Sequence, residues 1–349
     1  MSASILDPFT EALGKRYQSS RADYLRIVND FPKLWSGIYR LVDALPVGFA
    51  APILLSKLTK EIARAIRSQR PNCILSVYPL YTYLLPEALH LAGSPNIPLF
   101  TVITDSITIN SIWHRKRCDG FIVPNPQSAE VLRAAGIPEH LILDEGFPVS
   151  PRFHTETVDR PSPSSSTPLK VLFMINGNRD RSRSIATRLL NDPDISPTIT
   201  VGHDNALGEE LASAIPQNRR DAHILGWVPD IPKLVRENHV LIGKAGGATV
   251  QESLAAVTPM IITQIFPGQE EGNARLLLEN GCGIFASSAD EISSSLKSLR
   301  SNDFQRWNEL HAACRRLSRP EAALRIIDRI RRATKPHVAL TESALTPAA

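Results

Sequence analysis

"HVLIGKAGGATVQESLAA", residues 239–256, decides how the chain is read. Val240, Leu241 and Ile242 form a short apolar run ending at Gly243, which predicts a buried strand. A glycine turn follows, and then a helical pattern. Thr249 and Glu252 have the spacing of a capping box, the threonine accepting a backbone N–H while the glutamate reaches back. Gly246 and Gly247 remove side chains just ahead of the helix, so an anion can approach its N-terminal N–H groups. Neither familiar phosphate loop fits. Lys244 precedes the glycine pair instead of following it, and G-x-x-G-G is not G-x-G-x-x-G. On the glycines alone, a tight turn without a ligand explains the stretch as well.

The next loop shifts the balance. "QIFPGQEEGNA", residues 264–274, follows another apolar run, "PMIITQI", and so should open on the same rim. Gln269, Glu270, Glu271 and Asn273 offer carboxylates and amides, which bond the vicinal hydroxyls of a sugar. The alternative is a solvated loop leading into a helix. Pro267, Gly268 and Gly272 around two adjacent carboxylates would be a rigid way to make such a connection. An anion site and a diol site on neighbouring loops suggest a nucleotide-sugar.

The same alternation of short apolar runs and helical patterns fills the chain. "NCILSVYP", "PLFTVITD" and "DGFIVP" read as strands in the first half; "KVLFMING", "TITVG", "AHILGW", "HVLIGKAGG", "PMIITQI" and "CGIFA" do so in the second. "KLTKEIARAIRSQ", "PQSAEVLRAAG" and "NARLLLENG" read as helices. "HTETVDRPSPSSSTPLK" (154–170) is rich in Pro, Ser and Thr and lacks apolar periodicity, so it reads as a seam. The expected organisation is an acceptor-side domain over 1–153, a linker over 154–169, a donor domain over 170–335 and a frayed tail over 336–349. Parallel sheets covered by helices, two doubly wound domains facing a cleft, are the expected α/β fold, with ligands at the carboxyl ends of the strands.

Bulk properties narrow the partners. A chain of 349 residues, 43% hydrophobic and 21% charged, is an ordinary globular composition long enough for two domains. A net charge of +4 is too mild to argue for nucleic acid. The charge is uneven: residues 1–70 hold 11 basic against 6 acidic side chains, and residues 300–335 hold 10 against 4. Solvated helix faces account for this, as does attraction to an anionic membrane surface. The four cysteines, Cys73, Cys118, Cys282 and Cys314, include no CxxC pair, which argues against structural zinc and a disulfide framework. No apolar run is long enough to span a bilayer, and the first residues lack a signal peptide's apolar core. The expected place is the cytoplasm, peripheral on the inner face of the membrane. Phe31, Leu34, Trp35, Ile38 and Tyr39 have helix-face spacing and suit either a core or a membrane interface.

"GKAGGATVQESLAAVTPMIITQIFPGQEEGNARLLLENGCG" resembles the donor motif of the monogalactosyldiacylglycerol synthase and diacylglycerol glucosyltransferase family. These are GT-B glycosyltransferases related to the N-acetylglucosaminyltransferase of peptidoglycan synthesis. "ILGWVPDIPKLVRENHVLI", "VITDSITINSIWHRKRCDGFIVPN", "GIPEHLILDEGFPVSPRF" and "YLRIVNDFPKLWSGIYRLVD" resemble other family segments, so the likeness covers roughly residues 20–335. It implies two Rossmann-like domains and an inverting hexosyltransferase that moves a sugar from a UDP-sugar to a lipid such as diacylglycerol. By that resemblance Glu252 takes the ribose hydroxyls; Gly246, Gly247 and Thr249 meet the diphosphate; Gln269, Glu270 and Asn273 face the hexose; and Trp227 and Val228 border the uracil. No metal or cofactor is expected, since a helix N-terminus can stabilise the departing UDP.

Two departures bear on activity. Family members begin with a strand and a glycine-rich loop carrying a histidine that faces the acceptor. "MSASILDPFTEAL" corresponds to sequence downstream of that loop, so either the true start lies upstream of Met1 or the N-terminal domain lacks its first β-α unit, as expected from the sequence as it stands. Asp105, at the end of a predicted strand, then becomes the candidate catalytic base, with a loop-capping role as its alternative. In "FMINGNRD", Asn176, Gly177 and Asn178 stand where many members have a glycine-rich phosphate loop, and only one glycine remains. The alternative reading is a GT-B remnant that binds nucleotide-sugar or lipid without turnover. A UDP-sugar epimerase of similar architecture is a third, which the PGQEEGN loop fits less well.

Overall fold

The computed structural model describes residues 3–8, 52–157, 160–268 and 270–334. The aromatic stripe Phe31–Tyr39, Gln269 and the tail 336–349 lie outside the described residues.

Among the described residues the first sheet has four parallel strands in simple order: β1 (Ile74–Ser76), β2 (Leu99–Val102), β3 (Gly120–Val123) and β4 (Ile142–Asp144). Period-two alternation sends Leu99 and Ile103 to one face, where they meet α1 (Pro52–Gln69), α2 (Pro79–Leu91) and α3 (Pro126–Ala134). Leu58, Ile62 and Ile66 of α1 have the spacing that puts them on one helix face, and all three are buried. Phe100 and Val102 point to the other face.

The second sheet has six parallel strands in the order β10-β9-β8-β5-β6-β7. They are β5 (Leu169–Met174), β6 (Ile195–Thr200), β7 (His223–Leu225), β8 (Val240–Lys244), β9 (Met260–Gln264) and β10 (Gly283–Phe285). Short β4 leads through a one-turn helix, α4 (Arg152–Thr155), into β5. The connections α5 (Arg179–Leu190), α6 (Asn205–Ser213), α7 (Ile231–Glu237), α8 (Gly247–Ala255) and α9 (Glu271–Glu279) cover both faces. Val171 and Phe173 of β5 enter the core under α5 and α6, while Leu172 enters the core under α7, α8 and α9. The order reverses between β5 and β8. That is the topological switch point, where parallel sheets leave a crevice outside the strand ends.

Pro197 sits inside β6, opposite Val171, where sequence rules argue against a strand. It is tolerated because β7 pairs with β6 only at Thr198–Thr200, so one side of β6 is an edge at Pro197. The seam after α4 is anchored as well. Arg160 donates to the Asn238 and Val257 carbonyls and to the Thr258 hydroxyl, and burial pushes its guanidinium down to about 10.

After α10 (Ala289–Leu317), which is interrupted at Ser301–Phe304, the chain crosses back. The last described helix, α11 (Ala322–Ala333), puts Ile326 and Ile330 on Phe100, Val102 and Ile122, the open face of the first sheet. Each such burial stabilises by about 1.5–3 kcal/mol. Arg325 and Arg329 of α11 both pair with Glu145, and Arg319 pairs with Asp144 at 2.5 Å. Ala322–Ala333, which the sequence assigns to the donor half, thus forms the second layer of the first sheet. No described helix is long and apolar enough to cross a membrane.

Candidate functional site

β8 ends at Lys244, and the register with β9 shifts between Gly243 and Lys244. The chain then turns through Ala245 into α8, whose N-cap is Gly246. The capping box expected from Thr249 and Glu252 does not form. The helix begins at Gly247, which makes Thr249 its third residue, and no side chain caps it. An uncapped N-terminus leaves backbone N–H groups available to an outside acceptor.

Lys244 stands over this end. Its ammonium lies 3.9 Å from where a Cβ on Gly246 would stand, 5.1 Å from the Phe266 ring centroid and 2.6 Å from a Glu270 carboxylate oxygen, to which it donates. The other Glu270 oxygen accepts the Phe266 N–H at 3.1 Å. Glu270 is buried and forms the N-cap of α9. Asn273 is buried one turn on. Its amide donates to the Ala245 carbonyl at 3.2 Å, while its Oδ1 has no partner among the described residues. Gly246, Gly247, Thr249, Glu270 and Asn273 therefore share one corner.

Asn176, Gly177 and Asn178 line a tight crevice of about 10 Å³ that Lys244, Thr263 and Gln264 also line. Asn178 has a capping role here, its side chain accepting the Arg181 N–H at the start of α5. Glu252 lies farther along α8, half-buried, and burial alone pushes its carboxyl up to about 7. Trp227 is 63% exposed after β7 and stacks on His203, ring centroids 6.1 Å apart and planes at 10°. Val228 packs against the apolar cluster beneath. These two stand at the far side of the rim, three strand spacings from β8.

The first sheet supplies the opposite wall. A Cβ on Gly247 would lie 3.2 Å from the Thr104 carbonyl. A Cβ on Gly272 would lie 1.7 Å from the Ser106 carbonyl. Thr108 accepts the Gly272 N–H at 3.0 Å and donates to the Gly268 carbonyl at 2.9 Å, and Gln251 donates to the Ser106 hydroxyl at 3.2 Å. Asp105 lies in this wall, buried, and accepts the Trp113 indole N–H at 2.7 Å. Sequence reasoning missed Thr108, Ser106 and Gln251, whose partners lie more than a hundred residues away. Lys244 was visible as a cation before the glycines, but its pairing with Glu270 was not.

A roomier open groove, about 860 Å³, lies at the starts of β5, β6 and β7, lined by Lys170, Ser196 and His223. The switch-point corner is the better candidate, because ligands of parallel sheets bind beyond the strand ends. It combines a cation, an uncapped helix N-terminus, a carboxylate and an unpartnered amide oxygen. Such a corner can hold a polyanion bearing hydroxyl groups. Among the described residues no three His, Cys, Asp or Glu side chains converge as metal ligands.

Two parallel sheets facing each other across this crevice, with α11 returned to the first, define a GT-B fold. MurG of Acinetobacter baumannii superimposes with a TM-score of 0.57 at 15% identity, covering 81% of each chain. The S. aureus MnaA–UDP structure does so at 0.58 and 13%, covering 80% of each. Residues 2–149 match the family model for monogalactosyldiacylglycerol (MGDG) synthase. A processive diacylglycerol beta-glucosyltransferase of Bacillus cytotoxicus is 25% identical over 296 residues, 82% of this chain and 75% of that protein. The chain thus resembles the monogalactosyldiacylglycerol synthase and diacylglycerol glucosyltransferase family, as its donor motif and flanking segments suggest.

Proposed function

We propose that the protein is a UDP-sugar-dependent hexosyltransferase that glycosylates a lipid hydroxyl, with diacylglycerol as the acceptor class. The observation that carries this reading is the convergence of Lys244, the uncapped start of α8 and Glu270 with Asn273 at the switch point, closed by Thr104–Thr108. The likeness to a diacylglycerol glucosyltransferase supports the substrate class.

In this reading Gly246, Gly247 and Thr249 offer N–H groups to the diphosphate. Glu252 accepts ribose hydroxyls, Trp227 and Val228 border the base, and Gln269, Glu270 and Asn273 face the hexose. The acceptor oxygen attacks the anomeric carbon from the face opposite UDP. The anomeric C–O bond breaks, its electron pair leaves with UDP, and the hydroxyl proton passes to Asp105, which the Trp113 indole orients. Inversion follows from this single displacement. The helix terminus supplies at most about 2 kcal/mol toward the developing charge, so positioning carries much of the rest. No metal or other cofactor is needed in this scheme. The protein works peripherally at the inner face of the membrane, drawn to anionic lipid by its basic segments.

UDP release is measured with UDP-glucose or UDP-galactose and diacylglycerol vesicles. Release with formation of a glycolipid is the expected result, and absence of both UDP binding and release refutes the proposal. A second reading, binding without turnover, draws on Asp105, which is buried and engaged by Trp113. Calorimetric UDP binding with no release from any donor would select it.

A further inference from the structure

Lys244 and the start of α8 place two positive features in one corner, and in this structure Glu270 pairs with the first of them. The Lys244 side chain is 27% exposed and that of Glu270 7%, so the pair stands largely out of water, where charge interactions are strong. Glu270 has a second hold, the Phe266 N–H, which keeps the carboxylate in place if the lysine turns away. Lys244 has alternatives too. Its chain lies along Gly246, 3.7 Å from Cε to the position of an added Cβ, so the ammonium can reach the helix terminus without moving the backbone. Phe266 offers its ring face to the cation throughout.

A nucleoside diphosphate seated on Gly246 and Gly247 competes with Glu270 for this one cation. We propose that Lys244 and Glu270 form an exchangeable pair. Lys244 turns from Glu270 to the donor's diphosphate, and the released carboxylate becomes the acceptor for the hexose hydroxyls. This rests on the donor-site reading above and adds an order to it: the diphosphate must dock before the sugar subsite acquires its carboxylate. A free hexose finds Glu270 occupied. After transfer, the returning carboxylate competes with UDP for the lysine and hastens product release.

The inference makes opposite demands on one residue. Glu270→Gln removes the competitor for Lys244 but also removes the hydroxyl acceptor. Calorimetry with UDP and with UDP-glucose is run on the full chain and the variant, with melting temperatures as a check on folding. Glu270→Gln is expected to bind UDP about fivefold tighter, the lower end of coupling between interacting sites. It should lose the extra affinity that the glucose moiety adds in the unaltered protein. UDP binding that is unchanged or weaker in a folded Glu270→Gln variant overturns the exchange, because a purely structural ion pair can only lose by the change. Lys244→Met, close in length to lysine, gives a second measure. It should weaken UDP by about tenfold or more, the loss of one hydrogen bond to a charged group, and leave uridine unaffected. Equal losses for UDP and uridine overturn it. If the unaltered protein binds neither UDP nor UDP-glucose, the donor-site reading itself fails, a result distinct from either.

Discussion

Gly272 lies directly against the Ser106–Thr108 backbone of the first half, and Gly272→Ala is the sharpest perturbation of the arrangement. The added methyl would lie 1.7 Å from the Ser106 carbonyl oxygen, 2.5 Å from the Thr108 nitrogen and 2.6 Å from the Thr108 hydroxyl. Carbon–oxygen contacts in proteins seldom fall below about 3.3 Å, so the segments must part by roughly 1.5 Å. Alanine gains up to about 1 kcal/mol over glycine within a helix. Against this stands an overpacking cost of about 1–3 kcal/mol. The clash lies between backbone segments of the two different sheets, so the strain is relieved by their separation rather than by unfolding. The melting temperature should therefore move by only a few degrees, by the scaling of about 2–4 °C per kcal/mol for larger domains. Catalysis is less forgiving, since a displacement of about 1 Å between reacting groups costs about 100-fold. The expected result is a fall of about 100-fold in kcat/KM for glycolipid formation. Calorimetric UDP affinity should stay within about fivefold, since the nucleotide contacts lie on the second sheet alone. A variant as active as the unaltered protein, or one losing UDP binding as fully as transfer, would refute this reasoning.

Glu252 sets a pH dependence: because burial raises its carboxyl from 4.5 to about 7, it is largely neutral in weak acid and becomes a charged acceptor above neutrality. UDP affinity should rise from pH 6 to pH 8, and Glu252→Gln should flatten that rise. The same shift makes Glu252's share of fold stability complete below 4.5 and lost as pH climbs through about 7. His239 and His311 act in the other direction. Burial, aided by nearby Arg160, holds both imidazoles down at about 4 from 6.5. The fold therefore favours their neutral forms, and stability drains away as pH falls from 6.5 toward 4. Melting temperature across that interval should decline, and His311→Gln should make the decline shallower; an unchanged slope would contradict the assignment. Trp227→Ala should leave melting unaltered, the ring being mostly exposed, and weaken UDP by the roughly 1–3 kcal/mol typical of stacking on a base. An unaffected Kd would remove Trp227 from the nucleotide site.

The strands and the rim were legible because apolar runs and glycine turns are local signals. Gly246 and Gly247 announced a helix start free of side chains, and that is what the fold contains. The capping box was misread because the pattern does not say where the helix begins; three residues' difference puts Thr249 inside it. Pro197 hid the first half of β6, since the half-edge that tolerates it depends on how far β7 extends. Nothing local in Ala322–Ala333 says that Ile326 and Ile330 cover Phe100 and Val102 in the other sheet. Partnerships such as Lys244 with Glu270, or Thr108 with Gly272, join residues 26 and 164 positions apart and leave no periodic trace. Gly272 looked like loop chemistry, and its actual constraint is a foreign backbone pressed against it.

The return of Ile326 and Ile330 to the first sheet ties an earlier-made sheet to a later-made helix. A ribosome releases β4 nearly two hundred residues before the segment that roofs it, a delay of roughly 10–40 s at ordinary elongation rates. Throughout that interval Phe100, Val102 and Ile122 present an oily, hydrogen-bonded ribbon with no roof. The nascent first half must wait, shielded by chaperones or by transient collapse, and its maturation is scheduled by the emergence of α11.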